Sequence, residues 1–284
     1  MVNVDLRVRP AVFADQRQIA SLIQFEPRCH RHLDWRNPLD WIGSPPYLAL
    51  ESFGRVVAAL GCPPDPPLVA WIRLFVCSGA LPLEEAWMAL WEGARTDLAA
   101  RGHASAAIIL MQDWLRGPLQ KSGFQSYQQV VMLARESQEL PSRVVPDGIA
   151  IRPLMHYDLP AVAGMDAAAF GPFWYNSPAS LKRAFPQAAW ATVAESAQGI
   201  LGYQISTQNP LGGHLARLAV RPDAQDRGVG AALMSDLLHR MNARGLNRLT
   251  VNTQNDNAAS LSLYRKFGFR ETGDRYPVFI YYQT

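Results

Sequence analysis

Gln225-Asp226-Arg227-Gly228-Val229-Gly230-Ala231 stands between a strand-like run at 214–220 and a helix-like run at 231–243. The first amides of a helix lack intrahelical partners, and the aligned peptide dipoles place roughly half a positive charge there. A loop entering a helix this way accepts an anion. Gly228 and Gly230 keep Cβ atoms away from an approaching phosphate, and glycine tolerates the tight or left-handed turn required. The stretch reads as a phosphate cradle. The Gly-Lys-Ser/Thr of a Walker loop is absent, and a dinucleotide-binding turn would need a third glycine and an acidic residue further on.

Leu233, Leu237, Leu238 and Met241 share one face of the helix after the cradle, so they read as core. The next strand ends in Val251-Asn252-Thr253-Gln254. A polar loop through Asn257, a short helix containing Leu263-Tyr264 and a stop at Gly268-Phe269 come after it. Strand, Q-x-x-G-x-G, helix, strand, then Asn, Leu-Tyr and Gly-Phe resembles the acetyl-CoA-binding core of the GNAT superfamily of acyl-CoA N-acyltransferases, over residues 149–284.

The chain also repeats itself. Arg9-Pro10 followed by Asp15 recurs as Arg152-Pro153 followed by Asp158, and Ala100-Arg101-Gly102 recurs as Ala243-Arg244-Gly245, both 143 positions on. Lys121-Ser122-Gly123-Phe124 returns as Lys266-Phe267-Gly268-Phe269. The stretch 135–148, with Pro141, Pro146 and Gly148, reads as a linker. The resemblance therefore implies two tandem GNAT-like domains of mixed α/β class, at 1–145 and 146–284. Each would hold a mixed, mostly antiparallel sheet flanked by helices, with one splayed pair of parallel strands. In the first copy Pro82-Leu83-Glu84-Glu85-Ala86-Trp87 stands where the cradle should begin. It has no glycine, and its two carboxylates would repel a pyrophosphate. The segment 112–119 lacks the tyrosine. The first domain is expected to be degenerate, without an acyl-CoA site. It would pack against the second, wall the acceptor pocket, or form a homodimer through tryptophans among Trp35, Trp41, Trp71, Trp87 and Trp91, most of which read instead as core.

Composition bounds the partners. A formal net charge of +3 without a Lys/Arg block does not point to nucleic acid or an anionic membrane, and 49% hydrophobic residues supply ample core. No apolar run approaches membrane-spanning length. The first ten residues alternate like a strand and lack a signal-peptide core. Cys29, Cys62 and Cys77 form no C-x-x-C pair, which suits a reduced, cytoplasmic protein. Cys29-His30-Arg31-His32 with Asp34 lacks a second ligand pair, so no metal is expected.

The resemblance implies transfer of an acetyl group from acetyl-CoA to a primary amine on a small molecule or peptide, directly in a ternary complex. Gln225, Asp226, Arg227, Gly228, Val229, Gly230 and Ala231 would hold the pyrophosphate. Backbone groups of Leu218 and Val220 would pair with the pantetheine arm as with another strand, and the Val220 N–H would meet the developing oxyanion. Asn257 would cap the following helix and touch the cofactor. Tyr264 is the candidate acid for the leaving thiolate and itself borders the cofactor. His214, where some members of the superfamily carry glutamate, is the candidate base. Phe170 to Tyr175 and Asp274 to Tyr276 would line the acceptor side. Asp166 and Glu195 stand out only as carboxylates. A non-catalytic acyl-CoA sensor or partner-binding module is the alternative reading.

Overall fold

The computed structural model describes residues 5–103, 105–143 and 145–283. The first repeat runs β1 (Leu6–Pro10), α1 (Gln16–Phe25), β2 (Arg28–Arg31), β3 (Tyr47–Ser52), β4 (Arg55–Gly61), β5 (Ala70–Trp71) and β6 (Leu74–Cys77). It continues with α2 (Leu83–Ala100), β7 (Ser105–Ile109), α3 (Arg116–Lys121) and β8 (Gln125–Glu136). The second repeat runs β9 (Ala150–Pro153), α4 (Leu159–Trp174), α5 (Pro178–Gln187), β10 (Trp190–Ser196), β11 (Gly199–Asn209) and β12 (Gly212–Val220). It closes with α6 (Val229–Asn242), β13 (Arg248–Gln254), α7 (Ala258–Lys266) and β14 (Arg270–Tyr282). Among the described residues no helix is long and apolar enough to cross a membrane.

The repeat landmarks are ion-pair clips. Arg9 holds Asp15 with two bonds of 2.7 and 2.8 Å and Glu51 with one of 2.7 Å. Arg152 holds Asp158 at 2.7 and 2.9 Å and Glu195 at 2.6 Å. Each clip ties the entry of a repeat's first helix to its first strands, and the guanidinium keeps both aspartates below the usual carboxylate range.

The compact units divide differently from the repeats. Unit 1 is Met1–Gln128 with Tyr276–Thr284, and unit 2 is Gln129–Arg275, rather than a cut near 145. Each repeat lends its last strand away. In unit 2 the distal part of β8 pairs antiparallel with β13, from Val130 opposite Gln254 to Glu136 opposite Arg248. In unit 1 the end of β14 pairs with β7, Val278 opposite Ile109. A local reading of the linker cannot anticipate this, because strand pairing is a long-range choice.

Unit 1 holds a sheet in the order β1-β3-β4-β6-β2. Ile19 of α1 packs with Trp41, Leu74 and Val76 in one core cluster, and Trp87, Leu90 and Trp91 of α2 with Phe75 in another. In unit 2 the strands beyond β8 run β13-β12-β11-β10-β9. Leu233, Leu237, Leu238 and Met241 of α6 are all buried, as their spacing predicts. One irregularity shapes unit 2. Ile205 faces Arg217 while its neighbour Ser206 faces Leu215, so Ala216 is an extra residue, a β-bulge in β12. The parallel pairing of β12 with β13 covers only Gly213–Leu215 against Leu249–Val251 and ends at this bulge. Beyond it the two strands part.

Candidate functional site

The parting of β12 from β13 leaves backbone without a partner. Arg221 N–H donates to Leu201 O at 2.8 Å, which orients the odd-numbered amides of this stretch toward β11. The amides of Leu218 and Val220 therefore face the gap. Val220 O accepts Gln225 Nε2–H at 3.2 Å, so the Val220 N–H is the group left open on that residue.

The cradle closes the gap at one end. Gly228, the N-cap of α6, has φ 81°, a left-handed conformation that L side chains resist. A Cβ on Gly230 would lie 3.4 Å from Leu263 Cδ2 and 3.6 Å from Val220 Cγ2, in contact with both and narrowing the recess between helix and strand. The two glycines thus do different work. Gly228 supplies the turn, with a Cβ aimed at Pro146 Cγ 3.2 Å away, and Gly230 supplies the space.

That recess is a cavity of about 340 Å³. It gathers Leu218, Val220, Gln225, Asp226, Gly228, Val229, Gly230, Ala231 and Asn257, together with Ser260, Ala169 and Phe170. Asn257 caps α7, its Oδ1 accepting Ser260 N–H at 3.1 Å, and lines the cavity as well. Arg227 faces another recess with Asp147 and Ser196. Asp274 and Tyr276 lie on β14 and do not line the cavity.

Tyr264 in α7 is 4% exposed and packs against Phe269, ring centroids 5.7 Å apart. Burial pushes its phenol up to about 12, while a hydrogen bond with Ser260 and the Arg217 charge act the other way. Tyr264 is not itself a lining residue, but its partner Ser260 is. His214 sits before the bulge, four residues ahead of Leu218, or about 13 Å along an extended strand. Its Nδ1 is 2.9 Å from Thr250 Oγ1, and that hydroxyl donates to Gly213 O at 3.3 Å. The hydroxyl proton being committed, Nδ1 carries the hydrogen and Nε2 keeps a free lone pair. Burial pushes the His214 imidazole down, so it is neutral at pH 7.

Sequence reasoning missed the buried network beside the gap. Asp166 of α4 is fully buried and takes Arg217 Nε–H and Nη2–H at 2.7 Å each. It also accepts Tyr203 Oη–H at 2.5 Å and Asn176 N–H at 2.6 Å. The guanidinium lies 3.3 Å from the Phe170 ring centroid and donates to Trp174 O at 2.9 Å. Phe170 lies just before a break in α4 at Gly171 (φ 66°, ψ −178°), and Pro172 to Trp174 form a short turn beyond that break. The signal available was an arginine inside an otherwise apolar strand, His214-Leu-Ala-Arg217-Leu-Ala-Val220.

Residues 160–269 match the model of the Acetyltransferase (GNAT) family. This stretch is therefore similar to GNAT acetyltransferase domains. Among curated proteins this half of the chain is 28% identical over 158 residues to mycothiol acetyltransferase of Saccharomonospora viridis, covering 49% of this chain and 52% of that one. It is 31% identical over 150 residues to mycothiol acetyltransferase of Rhodococcus jostii, covering 46% and 48%. The [ribosomal protein bS18]-alanine N-acetyltransferase of Escherichia coli matches at 39% over 57 residues, 20% of this chain and 38% of that one. The chain spans about half the length of the first two relatives. The fold extends further than the GNAT match. A tandem GNAT protein from the clavulanic acid biosynthesis pathway superposes with a TM-score of 0.65 at 15% identity over 98% of both chains. A GCN5-related N-acetyltransferase from Sphaerobacter thermophilus superposes with a TM-score of 0.64 at 17% identity over 98% of this chain and 95% of that one. The mixed α/β architecture of the whole chain is thus a tandem GNAT fold.

Proposed function

We propose that unit 2 binds acetyl-CoA in the cavity between β12 and α6 and transfers the acetyl group directly to a primary amine. The single observation carrying this is the continuity of an open strand edge at Leu218 and Val220 with a helix start whose Gly230 carries no Cβ to narrow the cavity beside it. The amides from Asp226 to Ala231 would hold the pyrophosphate. Leu218 and Val220 would pair with the amide-bearing pantetheine, and Asn257 would border it.

Acetyl-CoA supplies a thioester, an acyl donor activated by its thiolate leaving group. The protein supplies the proton handling. Tyr264 Oη, held neutral by burial, keeps a proton at neutral pH to give to the departing sulfur. His214 Nε2, with its free lone pair, takes the proton of the amine through a chain of waters, since the strand holds it about 13 Å from Leu218. The Val220 N–H, unbonded and facing the gap, donates to the carbonyl oxygen as charge develops there. The acceptor stays a small-molecule or peptide amine; the similar proteins are named for mycothiol and for an alanine of a ribosomal protein. Aromatic Phe170 beside the cavity favours an apolar flank on it.

Titration calorimetry of acetyl-CoA tests the reading. One site per chain is expected in the wild type, lost in Gly230→Glu, whose carboxylate suits the helix dipole but occupies the cradle. Absence of binding to the wild type would sink it.

A further inference from the structure

The repeat offset of 143 sets Phe75 and Cys77 of β6 at the places of Leu218 and Val220, and Trp87 of α2 at the place of Gly230. The local geometry agrees. Ala70 and Trp71 pair parallel with Ala106 and Ala107, as Gly213 and His214 pair with Leu249 and Thr250, and in both units the parallel pairing stops soon after. Unit 1 therefore reaches the same parting of strands. Past that point the two units differ.

In unit 1 the exposed edge of β6 is occupied. β2 runs antiparallel along it, Arg28 opposite Cys77 and His30 opposite Phe75. Ser78 N–H donates to Val57 O at 2.8 Å, so the alternate residues, Phe75 and Cys77, turn their backbone groups away from β4. His32 N–H donates to Arg73 O at 3.0 Å, and the same alternation brings His30 and Arg28 onto Phe75 and Cys77. The groups that Leu218 and Val220 leave open are thus bonded, in unit 1, to the chain's own strand.

Side chains secure that strand. His30 is 3% exposed and its Nε2–H donates to Ile72 O at 3.2 Å. Arg28 Nη1–H donates to Leu81 O at 3.2 Å, and Gly79 N–H donates to Glu26 Oε2 at 2.7 Å. Gly79 and Leu81 belong to the loop that corresponds to the one before the unit 2 cradle. At the cradle itself the fully buried Trp87 stacks edge-on against Phe75, centroids 5.1 Å apart, in the volume that Gly230 leaves empty.

We propose that unit 1 is an acyl-CoA fold ligated by its own β2, which takes the place of a pantetheine arm, leaving the chain one cofactor cleft; the comparison rests on reading unit 2 as the acetyl-CoA site. A strand tethered by the two residues between α1 and β2 acts at an effective concentration of about millimolar or above, which a free cofactor must exceed to displace it.

Amide hydrogen exchange on the full chain, with and without acetyl-CoA, tests this with an internal control. Without ligand, Phe75 and Cys77 are expected to exchange at least about 100-fold more slowly than Leu218 and Val220, and acetyl-CoA to leave them unchanged. Leu218 and Val220 should slow on binding. His30→Pro, which removes the amide from the ladder, should speed Phe75 and Cys77 at least about tenfold without altering Leu218 and Val220. Fast exchange at Phe75 and Cys77 in the free protein, or slowing there with acetyl-CoA, overturns the proposal. Leu218 and Val220 staying fast with acetyl-CoA would overturn the unit 2 reading instead, and the ligand-free rates would still decide the role of β2.

Discussion

Tyr264 and His214 are neutral at physiological pH for the same physical reason. Burial disfavours the charged form, raising the Tyr264 phenol and lowering the His214 imidazole. A proton donor and a proton acceptor that both hold the required state at pH 7 suit acid–base chemistry. The pH–rate profile then has a definite sign. A base must be unprotonated, so turnover falls as pH drops through the His214 pKa, below the ordinary value of about 6.5. Tyr264→Phe is expected to lower kcat about 100-fold or more, with acetyl-CoA affinity within about twofold of wild type. His214→Gln should lower kcat/KM and abolish the acidic limb. Turnover unchanged in Tyr264→Phe removes the tyrosine from the chemistry, and an acidic limb that survives in His214→Gln removes the histidine.

The left-handed turn at Gly228, α6 and the Asn257 cap were legible in the sequence because each is a local device, decided by glycines, helix periodicity and a capping side chain within a few positions. The Asp166–Arg217 pair was not, since its partners lie 51 positions apart: the arginine stands out in its apolar strand, but nothing local points to Asp166 as its partner. The same holds for β2, whose Arg-Cys-His-Arg has no strand alternation and is a strand only because β6 offers an edge. The Gly171-Pro172 pair reads as a stop, and helical geometry does break at Gly171, with only a short turn beyond it. Asp166 and Arg217 fix the part of α4 that carries Phe170 against β12, beside the bulge. Removing one partner strands a buried charge, so Asp166→Ala should cost about 3–5 kcal/mol by chemical denaturation. Replacing both, Asp166→Leu with Arg217→Met, should cost clearly less, because no charge is left unpaired. Equal losses in the single and double variants would mean that the pair contributes by packing alone.

Across the whole chain, buried imidazoles set the acid limit of stability. In unit 1 burial pushes His30 down to about 4 and His32 well below its usual value, and both lie within five residues along one segment. In unit 2 His214 is lowered too, by burial. A histidine whose folded pKa is depressed contributes stability above its unfolded value of about 6.5 that is lost as pH falls toward the folded one. The unfolded chain takes up protons that the folded chain refuses. Each such histidine then steepens the loss by up to about 1.4 kcal/mol per pH unit. The clipped aspartates do not compete in this window, since Asp15 and Asp158 have folded pKa values below 3.8 and matter only at lower pH. Unit 1, with two of these histidines in the segment that fills its strand gap, should therefore open first as pH falls from 6.5 to 4. His32→Phe isolates the effect: the ring stands 5.2 Å from Trp71, and its buried Nδ1 makes no hydrogen bond that phenylalanine would lose. Denaturation at pH 7, 6 and 5 should give a shallower decline in the variant by about one proton, with protection of the β2 and β6 amides persisting to lower pH. An unchanged slope would show that His32 takes up its proton without opening unit 1.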